Sequence, residues 1–429
     1  MTRHRRTRSL ARAARIAAVL AAVGATVFAG AAPAHADTVR DYEYWLGDYG
    51  FTTAWGTSRG EGVTVAVIDT GVNGNVAELR GVVTGGTDVS GLGTPDGQTP
   101  VGDPADSAHG TMVASLLAGR GTGEGSGVIG VAPEAEILAV SVAFGQDTGA
   151  EKTNDEQIAE GVRWAVDNGA DVINMSLTRN TRDWPESWDD AFTYAFENDV
   201  VVVAAAGNRG SGTSEVGAPA TIPGVLTVAG VDKEKNASFD ASSQGITIAV
   251  AAPSEDLVGV QPDGRVAIWS GTSGAAPLVS GLVALVRSEF PELDAADVIG
   301  RVTQTADPNG HEVPSPLYGF GLIDPVAALE GEVDPAEVTP LELLTEWITL
   351  HRRATSEAPA PSTETPEIVP IADPPLPDDD ATTTMLPTPW TLAYITVPLS
   401  LVAGFGTIGA LLGIGATRHL RRTVRIREQ

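Results

Sequence analysis

The 429-residue chain contains no cysteine. Disulfide bonds therefore cannot stabilise it, and any exported domain must be held together by its hydrophobic core alone. The central region, residues 61–332, is long enough to bury such a core. The length of 429 residues is enough for one large domain with appended segments, and the chain shows no internal repeat.

Basic residues are scarce, since 27 lysines and arginines stand against 55 aspartates and glutamates. Six arginines lie in residues 1–36 and five in residues 417–429, so the region between has 16 basic and 54 acidic residues and a charge of about −38. A field of that sign disfavours nucleic acid and anionic lipid as partners. We interpret the acidic excess as a solvated surface and expect no nucleic-acid partner.

The first 36 residues contain no acidic side chain. Arginines up to Arg15 are followed by an apolar stretch over residues 16–32 and by Ala34-His35-Ala36, a small-x-small cleavage pattern. This order predicts a secretory signal peptide over residues 1–36, cleaved after Ala36. A retained N-terminal anchor is the less favoured alternative, because the apolar stretch is short for a membrane span.

A second apolar segment, Trp390 to Ala416, has no charged residue over its 27 positions. That length can cross a bilayer with some tilt. The five arginines that follow place residues 417–429 in the cytoplasm by the positive-inside rule, and everything before the segment outside. We therefore predict a single-pass protein of the cell membrane, with a transmembrane helix over 388–416 and a basic cytoplasmic tail over 417–429.

Two further segments flank the central region. Residues 37–60 are rich in aromatic side chains but too short for a domain, and we expect them to lie across the main domain as an N-terminal arm. Residues 333–387 form an acidic linker rich in proline and threonine, which is typical of an extended tether. Within this linker, Leu341–Leu350 has the pattern of a short helix that packs elsewhere.

Apolar, largely β-branched runs alternate with helical patterns between residues 61 and 332. Strands are predicted at Val63–Ile68, Ile137–Val142, Val172–Met175, Val200–Ala206, Val225–Val231 and Ile246–Ala251. Helices are predicted at Thr111–Ala118, at Asn154–Asn168 after a Thr153/Glu156 capping box, at Glu186–Glu197, and from Asp294 to Thr305. Strands with so little polar alternation are typical of a parallel sheet buried on both faces. The alternation predicts an α/β sandwich with a mainly parallel sheet.

The segment Gly271–Pro277 reads G-T-S-G-A-A-P, between a strand-like run, Val266–Ser270, and a helix-like run, Leu278–Phe290. Small residues surround the hydroxyl of Ser273, where the first N–H groups of a helix can face negative charge. Pro277 suits an early helical turn, because its missing N–H would have no intrahelical partner there. The alternative is a glycine-rich turn with an incidental serine.

Four polar side chains stand at the ends of predicted elements, where functional groups of an open parallel sheet gather. Each side chain suits one step of a nucleophilic reaction. The hydroxyl of Ser273 needs a base to act as a nucleophile, and His109 can take its proton and later protonate a leaving amine. Asp69 can fix the tautomer of the imidazole. The amide of Asn208 and the N–H of Ser273 can hold an oxyanion.

Each of these residues also has a structural alternative, as a turn former, a helix cap or an ordinary buried side chain. The presence of all four at element ends favours a catalytic set. Their order along the chain is Asp, His, Ser, whereas α/β-hydrolases have Ser, Asp, His. Ala275 also stands where the G-x-S-x-G elbow of those enzymes requires glycine.

The motifs together resemble those of subtilisin-like serine proteases, over residues 37 to about 329. They are D-T-G at Asp69, H-G-T at His109, N-M-S-L at Asn174, A-A-G-N at Asn208, G-T-S-x-A-A-P from Gly271 and Y-G-F-G-L-I-D-P from Tyr318. The resemblance implies a three-layer sandwich with a seven-stranded, mainly parallel sheet, and hydrolysis of peptide bonds through an acyl-enzyme.

More narrowly, the order of segments resembles the mycosins, the membrane-anchored subtilases of actinobacteria associated with type VII secretion. The long folding prodomain of subtilisins proper does not fit between Ala36 and Asp69. The chain departs from the family pattern at Gly274, where a bulkier residue is usual, at Thr178, where glycine is common, and in lacking the cysteines of mycosins. We expect Gly274 to loosen the backbone beside the serine and Thr178 to alter a subsite.

We therefore expect a membrane-anchored extracellular serine endopeptidase acting on exported proteins. A substrate would bind as an extended strand beside Ser176, Leu177 and Thr178. The alternative is a scaffold that stabilises a type VII secretion complex, with secondary proteolysis. No cofactor is expected. A third hypothesis places calcium in the acidic loop Asp96–Asp106, but without a recognisable ligand spacing we favour a solvated loop that borders the active site.

Overall fold

The structure is a computed structural model that describes residues 39–102, 106–145 and 148–352. The predicted signal peptide, the transmembrane helix over 388–416 and the basic tail lie outside the described residues. So does the linker after residue 352. Within the three described ranges, no helix combines the length and the apolar character that crossing a bilayer requires.

Seven parallel strands form the central sheet. In chain order they are β1 (Thr64–Asp69), β2 (Val83–Asp88), β3 (Glu136–Ser141), β4 (Val172–Met175), β5 (Val201–Ala205), β6 (Leu226–Val231) and β7 (Ile248–Pro253). Their order across the sheet is β2-β3-β1-β4-β5-β6-β7, and every pairing is parallel. The predicted α/β class with a mainly parallel sheet is confirmed.

Strand β2 was not predicted, because its sequence V-T-G-G-T-D has no apolar run. It lies at the edge of the sheet, where its glycines allow a loop to cross it closely. An added Cβ at Gly86 would overlap the carbonyl oxygen of Asp96, which belongs to that loop. Close packing by the backbone therefore replaces the apolar side chains that mark the other six strands.

Ten α-helices lie in the described part of the chain. They are α1 (Val39–Tyr42), α2 (Tyr44–Asp48), α3 (Phe51–Ala54), α4 (His109–Ala118), α5 (Asn154–Asp167), α6 (Glu186–Glu197), α7 (Thr272–Glu289), α8 (Ala295–Gln304), α9 (Pro325–Glu330) and α10 (Pro340–His351). Helices α4 and α7 pack together on the sheet, and α5 packs with α6 as a second pair. Because β4 and β5 are fully buried, both faces of the sheet are covered, which gives three layers.

The predicted helix caps are present. Thr153 and Glu156 form a reciprocal capping box at the start of α5, and Asp294 accepts a hydrogen bond from the N–H of Asp297 at the start of α8. The prediction for α7 was wrong at its start. The helix begins at Thr272 rather than Leu278 and runs through Pro277, so Ser273 lies in its first turn.

The run predicted at Val266–Ser270 is strand β9 (Val266–Trp269), which pairs with β8 (Leu257–Val260). This antiparallel pair forms a sheet of its own beside the central one. Helix α4 packs against β8. The hairpin therefore brings the chain back to α4 immediately before Ser273.

Both flanking segments pack on the central body. In the arm, Trp45 and Phe51 are fully buried, and the indole of Trp55 donates to the carbonyl oxygen of Val131 at 2.7 Å. At the other end α10, the helix predicted at Leu341–Leu350, packs against α6. The rings of Trp184 and Trp347 lie 4.2 Å apart there, so the ordered body continues past residue 332.

Candidate active site

The four predicted polar residues lie on elements that end or begin at one edge of the sheet. Asp69 is the last residue of β1, and Asn208 follows the end of β5 by three residues. His109 is the first residue of α4, while Ser273 is the second of α7. Because β1 and β5 are parallel and α4 packs against α7, the chain brings these elements together at the carboxyl edge.

Asp69 and His109 are in direct contact. Nδ1 of His109 lies 2.9 Å from each carboxylate oxygen of Asp69, which is fully buried. The N–H of Thr70 donates to the same carboxylate at 2.7 Å. Gly110 makes this approach possible, since an added Cβ would overlap the carbonyl oxygen of Gly71. The H-G-T sequence thus brings the start of α4 against the end of β1.

The environment of His109 raises the pKa of its imidazole above the ordinary value of 6.5. Desolvation is the largest influence and acts in the opposite direction, because burial disfavours the charged ring. The negative charge of Asp69 and the hydrogen bond to it outweigh burial, and Asp106 adds a smaller attraction. The imidazole therefore binds a proton more tightly than a free histidine does.

Trp269 connects His109 to the start of α7. Its ring lies edge-on to the imidazole, with centroids 5.6 Å apart and planes at 75°. A Cβ added to Gly274 would lie 3.4 Å from the ring of the same indole, which is van der Waals contact. The hydroxyl of Ser273 donates to the carbonyl oxygen of Ser176 at 3.2 Å.

The side chain of Asn208 is oriented by Thr272. Oδ1 of Asn208 accepts hydrogen bonds from the N–H of Thr272 at 2.8 Å and from its hydroxyl at 2.9 Å. Nδ2 is consequently turned toward Gly271, whose φ of 153° and lack of a side chain leave room for it. The N–H of Ser273 is the second of the helix, where no intrahelical acceptor exists. Both donors therefore lie at the start of α7, the helix that carries Ser273.

The predicted substrate segment follows β4 directly. Ser176 is buried, while Leu177 and Thr178 are partly exposed. The hydroxyl of Thr178 bonds to the carbonyl oxygen of Arg179 at 3.0 Å, and the N–H of Arg179 donates to Ala218 at 2.7 Å. The structure therefore places Ser176 against Ser273, with Leu177 and Thr178 extending from that contact.

Residues 60–321 match the sequence profile of the subtilase family. The chain belongs to the subtilase family. It is 37% identical to subtilisin DY of Bacillus licheniformis over 276 residues, which are 63% of this chain and 92% of that protein.

Two solved structures of mycosin proteases are similar to this subtilase. The first, MycP3 protease from the type VII (ESX-3) secretion system, is 34% identical with a TM-score of 0.57, over 67% of this chain and 88% of that chain. The second, the serine protease MycP1, described as an essential component of the type VII (ESX-1) secretion system, is 32% identical with a TM-score of 0.55. That match covers 67% of this chain and 88% of the other. These similarities make the protein a serine endopeptidase.

In this subtilase Gly274 is closely packed. The residue lies within α7, and its N–H donates to the carbonyl oxygen of Gly271 at 2.9 Å. An added Cβ would overlap Cδ1 of Leu257, so the apolar side chain of β8 occupies the space that a larger residue would need. The expected loosening of the serine by Gly274 stays a prediction, although the helix and the hairpin surround this backbone closely.

The acidic loop after β2 packs beside Asp69. The N–H of Val101 donates to the carbonyl oxygen of Thr70 at 2.7 Å, and Asp96 accepts hydrogen bonds from Thr94 and from the N–H of Gln98. Across residues 39–102, 106–145 and 148–352, no three histidine or acidic side chains cluster as metal ligands would. Residues 103–105 of this loop lie outside the described residues.

The sequence did not predict the roles of Thr272 and Trp269. Thr272 stands directly before the serine in G-T-S, so a search for side chains that orient the amide could have selected it. Trp269 had no such signal, because its position beside His109 depends on the pairing of β8 with β9. Both residues contact side chains that lie far away in the sequence.

Proposed function

We propose that this subtilase hydrolyses polypeptides with Asp69, His109 and Ser273 as its catalytic triad and Asn208 in its oxyanion hole. The observation that carries this proposal is the contact of Nδ1 of His109 with both carboxylate oxygens of a fully buried Asp69. That contact leaves Nε2 as the nitrogen available for proton transfer, at the edge where α7 presents Ser273.

The reaction follows from these positions. Oγ of Ser273 attacks the substrate carbonyl, and its proton passes to Nε2 of His109. The hydroxyl turns away from Ser176 for this step, and catalytic hydrogen bonds of free enzymes commonly tighten only when substrate binds. His109 then protonates the leaving amine, and water, deprotonated by the same imidazole, hydrolyses the acyl-enzyme.

Charge develops on the carbonyl oxygen during the attack. Nδ2 of Asn208 and the N–H of Ser273 are the donors that would stabilise it, because Thr272 holds Oδ1 of the amide on the opposite side. The charge of Asp69 stabilises the imidazolium formed at the same time. Each developing charge therefore has a fixed partner before substrate arrives.

The substrate would bind as an extended strand beside Ser176, Leu177 and Thr178. The contact of Ser176 with Ser273 supports this placement, because a strand paired there presents its carbonyl to the nucleophile. The side chain of Arg179 braces the segment, since it forms an ion pair with Asp155 at 2.6 Å.

We further propose that the enzyme acts outside the cell on exported proteins, anchored by residues 388–416. The sequence supports this location through the signal pattern, the uncharged segment and the arginines after it. The similarity to MycP1 and MycP3, which come from type VII secretion systems, supports a link with type VII secretion. Because MycP1 is an essential component of its secretion system, a stabilising role in a secretion complex is the second candidate function.

The test is labelling of the purified full chain with a fluorophosphonate probe. Oγ of an activated serine bonds to phosphorus and fluoride leaves, so labelling reports an assembled nucleophile. We expect the wild type to be labelled, Ser273→Ala to remain unlabelled, and the exposed-residue control Ser187→Ala to behave as the wild type. No labelling of a folded wild type, or labelling of Ser273→Ala, would refute the catalytic assignment and favour the scaffold.

A further inference from the structure

Pro277 interrupts the hydrogen-bond ladder of α7 directly below Ser273. In an α-helix the carbonyl of Ser273 would accept a bond from the N–H four residues later, which proline lacks. The helix nevertheless continues to Glu289, and Pro277 is buried within it. The carbonyl oxygen of Ser273 therefore needs another donor.

The hydroxyl of Ser176 supplies that donor. It bonds to the carbonyl oxygen of Ser273 at 2.8 Å, and the side chain of Ser176 is almost fully buried. In return, the hydroxyl of Ser273 donates to the carbonyl oxygen of Ser176. The two serines thus hold each other at two points, although they lie 97 residues apart in the sequence.

Two more buried side chains orient the hydroxyl of Ser176. Nδ2 of Asn174 donates to that hydroxyl at 3.0 Å, and Oδ1 of Asn174 accepts a bond from the hydroxyl of Ser280 at 2.9 Å. Asn174 and Ser280 have no exposed surface. Because each hydroxyl has a single hydrogen to donate, the order of donors is fixed from Ser280 through Asn174 to Ser176 and Ser273.

The network begins and ends on α7. Ser280 is two helical turns after Ser273 and therefore lies on the same face of the helix. The chain of bonds leaves this face, passes through the end of β4 and returns to the carbonyl of Ser273. It connects the segment proposed to bind substrate with the residue proposed to attack it.

We propose that Ser176, Asn174 and Ser280 are positioning residues that fix the carbonyl of Ser273 and thereby the direction of its Oγ. The proposal rests on the assigned role of Ser273 as nucleophile. If the donor is removed, the first turn of α7 can shift, and misplacement of a reacting atom by about 1 Å costs on the order of a hundredfold in rate. Binding of the substrate backbone does not use these hydroxyls, so affinity should change little.

The experiment compares purified full-chain variants in their rate of fluorophosphonate labelling. The rate is measured over a range of probe concentrations, at a temperature at which every variant is folded. For Ser176→Ala we expect the maximal labelling rate to fall roughly 10- to 100-fold, with little change in the half-saturating probe concentration. Ser280→Ala, farther from the nucleophile, should lower the rate by roughly three- to tenfold. The Ser280→Ala variant also tests the proposal if Ser176→Ala does not fold.

The matched control is Ser58→Ala. Ser58 is also buried, and its hydroxyl also donates to a carbonyl of α7, that of Leu285 at 2.8 Å, but near the other end of the helix. A purely structural network would make the serine variants alike, with lower melting temperatures and unchanged labelling rates. Such a result would overturn the proposal.

Pro277 allows a rescue that only a positioning role explains. In Ser176→Ala/Pro277→Ala the restored N–H of residue 277 can bond to the carbonyl of Ser273, as in an ordinary helix. We expect the double variant to label roughly five times faster or more than Ser176→Ala alone. Failure of this rescue in a folded protein would contradict the proposal. Absence of labelling in the wild type would instead refute the catalytic assignment of Ser273.

Discussion

Helices α4 and α7 begin at the same edge of the sheet, and each carries one functional side chain in its first turn. His109 on α4 is held by a full charge, since its imidazole contacts the buried carboxylate of Asp69. Ser273 on α7 is held by two neutral hydrogen bonds, one accepted from and one donated to Ser176, and by the packing of Leu257 at the adjacent Gly274. His109 is thus held by a charged partner, whereas Ser273 is held by hydrogen bonds between neutral groups.

The difference follows from what each residue must do. A base has to gain and lose a proton, so a neighbouring charge that changes its pKa is useful to it. A nucleophile has to be aimed, and neutral donors fix a direction without adding a field that would oppose the developing oxyanion. We therefore expect pH to change activity through the protonation of His109 on α4. Changes in packing should change activity through the orientation of Ser273 on α7.

The largest effect is expected for Ser273→Ala, which removes the proposed nucleophile on α7. Peptide hydrolysis should fall by at least about 10⁴-fold, because only substrate binding and the oxyanion donors remain. Circular dichroism should show an unchanged fold, since the side chain is small. Turnover of a peptide substrate at the wild-type rate would show that α7 does not carry the nucleophile.

Asp69→Asn removes the negative charge that holds His109 on α4. We expect a loss of roughly 10³- to 10⁴-fold in kcat/KM at neutral pH, because the imidazole loses its oriented tautomer. The pKa of His109 should fall, so the acidic limb of the pH–rate profile moves to lower pH. Asp171→Asn is the control, as its carboxylate accepts from the N–H of Thr64 at the start of β1. An unmoved limb would mean that Asp69 does not set this pKa.

Asn208→Ala removes the proposed oxyanion donor beside α7. The expected loss in kcat is roughly 10²- to 10³-fold, with KM almost unchanged, since the ground-state carbonyl gains little from this donor. Asn198→Ala serves as the control because that amide caps α6 by bonding to the carbonyl of Tyr194. Equal kinetics of the two variants would place the oxyanion site elsewhere.

Gly274→Ala tests whether packing fixes the start of α7. The added methyl group would overlap Leu257, and overpacking of this kind costs about 1–3 kcal/mol. The melting temperature and kcat should both fall. Gly300→Ala in α8 is the matched control, because its Cβ would make only ordinary van der Waals contacts, with the end of the Gln304 side chain and with Cβ of Ala336. If Gly274→Ala is as stable as Gly300→Ala, the hairpin does not confine this position.

The smallest expected effect is on how the free energy of unfolding changes with pH. Since the pKa of His109 is raised in the folded state, its contribution to the free energy of unfolding is complete below pH 6.5 and is lost as pH rises through the raised value. Chemical denaturation of Ser273→Ala, which avoids autolysis, should show this decline. Adding Asp69→Asn should remove it, and a decline that persists would assign it to another group.

The sequence determined the sheet and the location of its functional edge. Six of the seven strands could be predicted because residues such as Val201–Ala205 form continuous apolar runs, a local property. Asp69, His109, Asn208 and Ser273 could be located because each stands near the end of a strand or the start of a helix. Turn and cap chemistry involves only near neighbours, which is why Thr153 and Asp294 were also predicted correctly.

Only the tertiary structure decided how those side chains are held. Strand β2 forms because its glycines let a loop cross it, and α7 passes through Pro277 because Ser176, nearly a hundred residues away, replaces the missing donor. The orientation of Asn208 by Thr272 and the packing of Trp269 on His109 likewise join distant parts of the chain. Such contacts depend on strand register and helix packing, which no local pattern encodes.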